Sequence, residues 1–386
     1  AAVPAAIDIP PVFSLPDALP AAAVRAVIPA RPDNARFNVD GAPIADAVWD
    51  AITANMALDA LPDPVPVRFG VITRRAPVRT LPSDLTALKA PGDIPLDRLQ
   101  ESTVDMGWPV AVLHTTADGQ WAFGLTPGYW GWLDARRIGL ADRATVEAFA
   151  TADPFLMATA AWADIARSDG YHHRFVQTGT RIPLRHQADP GEQPDLHTVR
   201  VPLADEAGQL FEAVGYVKAG HADWHIGHQP PTLRTVVDGA FGVLGEPYAW
   251  GGMRLGRVGR DCSRLVRDAW ALTGIALPRN SGQQGRTGVR AATFTPEDSN
   301  TDRIARLAQV PAGALLFLPG HVMLYLGMVN GIPYAIHDLW GYAHPEGLVT
   351  PVERVTVTAL PPEPSAARHT LLERLTHVQI VAPFAP

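Results

Sequence analysis

Tyr248-Ala-Trp-Gly-Gly252, Asp261-Cys262-Ser263 and Pro278-Arg-Asn-Ser-Gly-Gln-Gln284 decide the reading of this chain. Cys262 is its single cysteine. After it, Leu265, Val266, Ala269 and Leu272 recur at helical spacing, and Gly274 ends the run. Asp261 is of a type favoured at a helix N-cap, which puts Cys262 in the first turn. Unpaired N–H groups and the helix dipole favour an anionic sulfur there. The expectation is a thiolate nucleophile that needs a base.

Candidate bases lie downstream. Residues 314–318 (Ala-Leu-Leu-Phe-Leu) read as a buried strand, Pro319-Gly320 as a turn and residues 321–326 (His-Val-Met-Leu-Tyr-Leu) as a second strand. Asn330-Gly331 is a hairpin signal, and residues 334–337 (Tyr-Ala-Ile-His) follow it as a third strand. His321 opens one strand and His337 closes the next, so both reach the same sheet end. A helix-borne cysteine facing two strand-borne histidines is the layout of a papain-like thiol hydrolase. Cys262 would attack, His321 would carry the proton, and His337 would orient the His321 ring. His344 competes with His337 for that last role.

These residues resemble the NlpC-type bacterial cell-wall cysteine peptidases. The matching pieces are Pro247 to Gly252, Asp261 to Ser263, Pro278 to Ser281, His321 to Gly327, and His337. Their types, order and spacing agree over roughly residues 235–345. Two departures stand out. Gly313-Ala314 replaces a common Gly-Asp, and the loop before Asp261 carries Arg254, Arg257 and Arg260, read here as bearing on substrate preference.

The resemblance implies a γ-D-glutamyl–L-diamino acid endopeptidase acting on murein stem peptides, with a free N-terminal L-Ala and no cofactor or metal. By that resemblance Asp261, Ser263 and Ser281 bind the substrate's α-amino group. The backbone N–H of Cys262 and the phenol of Tyr248 are the expected oxyanion donors, and Tyr129, chosen from its Tyr-Trp-Gly-Trp context in the first barrel, is the expected cap of the pocket. Two other readings stay open: a thiol acyl or amide transferase on the same scaffold, and a non-catalytic cell-wall-binding protein.

At 386 residues the chain exceeds what one core supports. The expected architecture is multi-domain: an α+β papain-like C-terminal domain (231–386) preceded by two small all-β SH3-like barrels (63–145 and 146–230) and a short, partly helical N-terminal segment (1–62). The first barrel rests on short strand-like runs around residues 65–72, 78–81, 107–113, 121–123 and 130–133. The second rests on looser runs at 157–162, 182–184, 198–202 and 213–217. In the N-terminal segment, Ile44, Val48, Ile52 and Met56 repeat every four residues and predict a helix. Past the catalytic motifs, 345–364 reads as a Pro-rich segment, 365–375 as a helix and 377–381 as a strand. The barrels are candidates for binding wall polymer.

A net charge of −7 argues against nucleic acid and anionic membranes as partners. No apolar run is long enough for a membrane span. The start, Ala-Ala-Val-Pro-Ala-Ala-Ile, lacks a Met and a charged leader. It fits an exported protein, periplasmic or envelope-bound, with its signal peptide removed, and leaves a cytoplasmic location open. His221, His225 and His228 have zinc-like helical spacing, but Gly220, Trp224 and Gly227 disfavour a helix there, so they read as loop or barrel-surface residues. His172-His173 reads as an exposed turn.

Overall fold

The computed structural model describes residues 11–93, 96–167, 172–185, 195–343, 349–361 and 370–382. The chain divides into two compact units, one of residues 1–227 with 253–257, the other of residues 228–252 with 258–386.

In the first unit a core of Val71, Phe123, Trp132 and Phe149 is shared by the sheet and the N-terminal helices. The helix Asp46–Met56 joins it through Trp49 and Met56, with Ile52 partly buried. The four-residue repeat had pointed to Val48, which is 41% exposed, whereas Trp49 is 3% exposed. One large aromatic ring outweighs a valine, so the helix turns its Trp49 side inward.

Seven antiparallel strands follow, ordered Gln100–Val104, Ala76–Arg79, Tyr129–Asp134, Trp121–Thr126, Pro109–Thr115, Arg68–Ile72 and Ile138–Ala141. The terminal strands of this order do not pair with each other among the described residues, so the sheet that carries the expected five-stranded barrel is not shown to be closed. Strand Gln100–Val104 escaped the sequence reading because Gln-Glu-Ser-Thr carries no apolar alternation. The described residues within 155–226 form a three-stranded and a four-stranded antiparallel sheet. The long pair Leu196–Ala204 and Leu210–Lys218 runs in register from Leu196↔Lys218 to Ala204↔Leu210. His172 and His173 begin a strand (His172–Gln177) rather than a turn. His225 lies in the strand Trp224–Ile226, and no metal-ligating cluster occurs among the described residues.

The second unit is built on a six-stranded antiparallel sheet, ordered Val289–Thr293, His377–Ile380, Leu315–Leu318, His321–Val329, Ile332–Ala343 and Val349–Ala359. The Leu-Leu-Phe-Leu strand is wholly buried, as an inner strand of such composition should be. Asn330 and Gly331 both have positive φ (51° and 78°), which gives the hairpin between the third and fourth of these strands in chain order its tight turn. The expected strand 334–337 is the middle of a longer one, Ile332–Ala343, so His337 stands inside it rather than at its end. Residues read as a Pro-rich segment contain the strand Val349–Ala359, which tolerates Pro351 because it is the sheet edge. Residues 365–369 of the expected helix 365–375 lie outside the described residues, and 371–374 is a turn. His344 also lies outside them.

Against the sheet packs the helix Cys262–Ala271, which buries Leu265, Val266, Ala269 and Trp270. Helix Leu233–Phe241 meets it at Gly239, where a Cβ would lie 2.6 Å from Leu272 Cδ1.

Candidate active site

The site grows from the start of that helix. Asp261 is extended (φ −117°, ψ 174°) and its carboxylate accepts the Arg264 N–H at 2.9 Å, so the helix begins at Cys262. The same carboxylate takes a two-pronged ion pair from Arg279 (2.6 and 3.1 Å), the Ser263 hydroxyl at 3.0 Å and the Gly251 N–H at 3.0 Å. Arg279 also donates to Ser263 Oγ at 2.8 Å. Asp261 and Ser263 are thus buried and committed to internal partners. Their bonds tie together the Tyr-Ala-Trp-Gly-Gly loop, the helix start and the Pro-Arg-Asn-Ser segment. Gly259 allows the loop to close: a Cβ there would sit 2.2 Å from the Pro247 carbonyl oxygen.

The histidines come from neighbouring strands. The register Leu324↔Ile336 makes His321 and His337 diagonal cross-strand neighbours. His321 Nε2 is 2.7 Å from His337 Nδ1. His337 Nε2 in turn lies 2.8 Å from Thr358 Oγ1, which is 3.0 Å from the Tyr342 hydroxyl. With Nε2 engaged, His321 has Nδ1 free, among the described residues, for proton transfer.

Cys262, His321 and Tyr248 line one cavity of about 590 Å³ together with Leu339, Trp340, Tyr342, Thr358, Leu360 and Arg374. The Val322 N–H is directed at the Cys262 sulfur. A second cavity of about 300 Å³ shares Leu318, Gly320 and His321 with the first and adds Ser281, Arg286, Arg290 and His377. Tyr129 belongs to the first unit, where its hydroxyl donates to Glu101.

Residues 245–338 match the NlpC/P60 family. The second unit has an NlpC/P60-family cysteine peptidase fold. Residues 86–134 match an SH3 domain of the SH3b1 type, so an SH3-like region precedes the NlpC/P60 domain. Dipeptidyl-peptidase 6 of Lysinibacillus sphaericus is 35% identical over 187 residues, 42% of this chain and 64% of that protein. Peptidoglycan endopeptidase RipB of Mycobacterium tuberculosis is 36% identical over 107 residues, 24% of this chain and 39% of that one. The chain therefore spans under two thirds of either relative. Among solved structures, an NlpC/P60 endopeptidase from Photobacterium damselae subsp. piscicida superposes with a TM-score of 0.71 at 19% identity, covering 85% of this chain and 74% of that one. An NlpC/P60 family protein from Bacillus cereus gives 0.57 at 19% identity, covering 82% and 100%. These last two are likenesses of fold.

Burial governs the electrostatics of the NlpC/P60 site. It pushes the Cys262 thiol up to about 12, with the Asp261 charge adding to the effect and the Val322 N–H opposing it. It pushes His321 down to about 4, with the Arg374 charge adding to the effect. Burial thus favours a neutral thiol and a neutral imidazole at rest, and opposes the thiolate that the helix start alone suggested. His337 is held well below the usual range by burial and then by His321, so its ring too is neutral. Burial, then the charge that Cys262 would carry as a thiolate and the Asp261 charge, keeps the Tyr248 phenol protonated and able to donate. Asp261 stays ionised because Arg279 overcomes its burial.

Sequence reasoning missed Arg279, Thr358, Tyr342 and Arg374. Only Arg279 had a signal, its place inside the Pro-Arg-Asn-Ser motif. Arg260, expected to bear on substrate, is fully buried and paired with Glu246 and with Asp268 (3.2 Å), which also holds Arg264 at 2.6 Å.

Proposed function

We propose that the protein is a cysteine endopeptidase that cleaves murein stem peptides at the γ-D-glutamyl–diamino acid bond. The observation that carries this reading is Cys262 and His321 lining one cavity, with His321 backed by His337 at 2.7 Å. The relative named a dipeptidyl-peptidase and the one named a peptidoglycan endopeptidase support it.

In this reading His321 Nδ1 takes the Cys262 proton as the sulfur attacks the γ-carbonyl carbon. The developing oxyanion is held by the Cys262 N–H and the Tyr248 hydroxyl. His321 then gives its proton to the leaving amine of the diamino acid, and a thioester remains on Cys262. Water, deprotonated by His321, attacks the thioester, releases the glutamyl carboxylate and returns the thiol. Because thiol and imidazole start neutral, proton transfer and attack are coupled.

A free N-terminal L-Ala is part of the proposal. Ser281, at the neighbouring cavity, and Tyr129 are its candidate contacts, while Asp261 and Ser263 act by fixing the helix start. A second SH3-like domain over 146–230, wall binding by these regions and a location in the cell envelope complete the reading. The test is incubation with L-Ala-γ-D-Glu-diaminopimelate and with its N-acetylated form. Release of L-Ala-D-Glu from the free peptide alone, abolished by Cys262→Ala, is the expected result. Acyl transfer to an added amine with no hydrolysis, or wall binding unchanged by Cys262→Ala with no turnover, would replace the proposal.

A further inference from the structure

The cavity around Cys262 is walled largely by apolar and aromatic groups, among them Leu339, Trp340, Leu360 and Leu372. Of the described residues that line it, Arg374 alone has a side chain charged at neutral pH. Other arginines of this unit are tied down: Arg260, Arg264, Arg279 and Arg306 hold carboxylates, and Arg303 binds backbone carbonyls. The Arg374 guanidinium has no ion pair or side-chain hydrogen bond among the described residues. Arg374 is itself solvent-exposed, so water partly screens its charge where it borders the cavity. Its charge is felt at His321, whose basicity it lowers further after burial has done so.

We propose that Arg374 anchors a carboxylate that the substrate carries beside the scissile bond, which makes the site selective for acidic acyl donors. This rests on the peptidase reading above. A γ-linked glutamyl unit keeps its α-carboxylate free near the bond to be cut, and its α-amidated counterpart has nearly the same shape with no charge. A fork of guanidinium donors matches a carboxylate and not a carboxamide. The bound anion also offsets the Arg374 field at His321. An acidic substrate thereby restores basicity to the imidazole at the moment of attack, and a neutral one leaves it low.

The test compares L-Ala-γ-D-Glu-diaminopimelate with the same peptide amidated at the glutamyl α-carboxylate, on the wild type, Arg374→Gln and Arg374→Lys. A hydrogen bond to a charged group implies a preference of roughly 10- to 100-fold in kcat/KM for the acidic peptide. Arg374→Gln should bring that ratio near 1, mainly by losing the acidic peptide, and Arg374→Lys should fall between. With the amidated peptide, Arg374→Gln should also shift the acid limb of kcat/KM to higher pH, because a positive neighbour of His321 has gone. Both peptides are in parallel titrated calorimetrically into Cys262→Ala, with and without Arg374→Gln. Equal cleavage of the two peptides, unchanged in Arg374→Gln, overturns the anchor and leaves the peptidase standing. No cleavage of either, with tighter Arg374-dependent binding of the acidic peptide, overturns the peptidase and leaves the anchor. No cleavage and no discrimination in binding overturns both.

Discussion

His321 Nε2 and His337 Nδ1 lie 2.7 Å apart, and this contact fixes the direction of every proton behind the nucleophile. For His321 Nδ1 to be a base, its Nε2 must carry the proton and donate to His337 Nδ1. His337 must then carry its own proton on Nε2, where Thr358 Oγ1 accepts it at 2.8 Å. Thr358→Val removes that acceptor and leaves a buried N–H unsatisfied. The expected outcome is a fall of about 10-fold or more in kcat with KM little changed. Thr358→Ser, which keeps the hydroxyl, should recover most of it. A purely structural role for Thr358 would lower stability in both variants and leave the kcat of the folded fraction intact.

The neutral resting pair predicts an unusual pH response. With His321 at about 4, the base stays unprotonated well below pH 6, so the acid limb of kcat/KM falls near pH 4 rather than near 6.5. With the thiol at about 12, alkylation of Cys262 by iodoacetamide in the free protein should be slow at pH 7 and still rising at pH 10. A plateau in that rate between pH 5 and 8 would instead reveal a pre-formed ion pair. Stability follows the same shift. An unfolded histidine takes up a proton near pH 6.5 while folded His321 and His337 do not, so the melting temperature should decline as pH falls from 6.5 toward 4.

How far the sequence reveals this site depends on the range of each contact. The helix from Cys262 is written in Leu265, Val266 and Ala269, and its cap is the adjacent Asp261, so local periodicity suffices. The strand before His321 is legible because an inner strand is apolar throughout. Thr358, Tyr342 and Arg374 are illegible, since each reaches the site only through strand pairing or chain return. Val349–Ala359 hides behind Pro351 and a positive φ at Glu353 (53°), which break the alternation that marks a strand. Whether the strands of an SH3-like region close on themselves is likewise set by register, which composition does not encode.

Asp261 and Arg279 are 7% and 4% exposed, so their ion pair is a buried one. Arg279→Met leaves the Asp261 carboxylate buried without its counter-charge, and the expected loss is about 3–5 kcal/mol in urea unfolding. Adding Asp261→Asn removes the stranded charge while keeping a side chain that caps helices. The double variant should therefore be more stable than Arg279→Met alone. Equal stability of the two would mean that the carboxylate is already protonated or hydrated when Arg279 is lost.

Asp338 follows His337 in the sequence, is wholly buried, and has neither side-chain oxygen hydrogen-bonded among the described residues. Burial, and then the Asp261 charge, holds it well above the usual carboxylate range, which favours its protonated form in the fold. In the unfolded chain it ionises near pH 3.9. Between that pH and its folded value the unfolded state releases a proton that the folded state keeps, so this residue costs progressively more stability as pH rises. Asp338→Asn ends that titration without changing the side chain's size. The variant should melt close to the wild type at pH 3.5 and at a higher temperature at pH 7. Because a protonated Asp338 contributes no charge to the site, alkylation of Cys262 at pH 7 should proceed at the same rate in both. A temperature difference that is the same at the two pH values, or a faster alkylation in the variant, would mean that Asp338 is ionised in the folded protein.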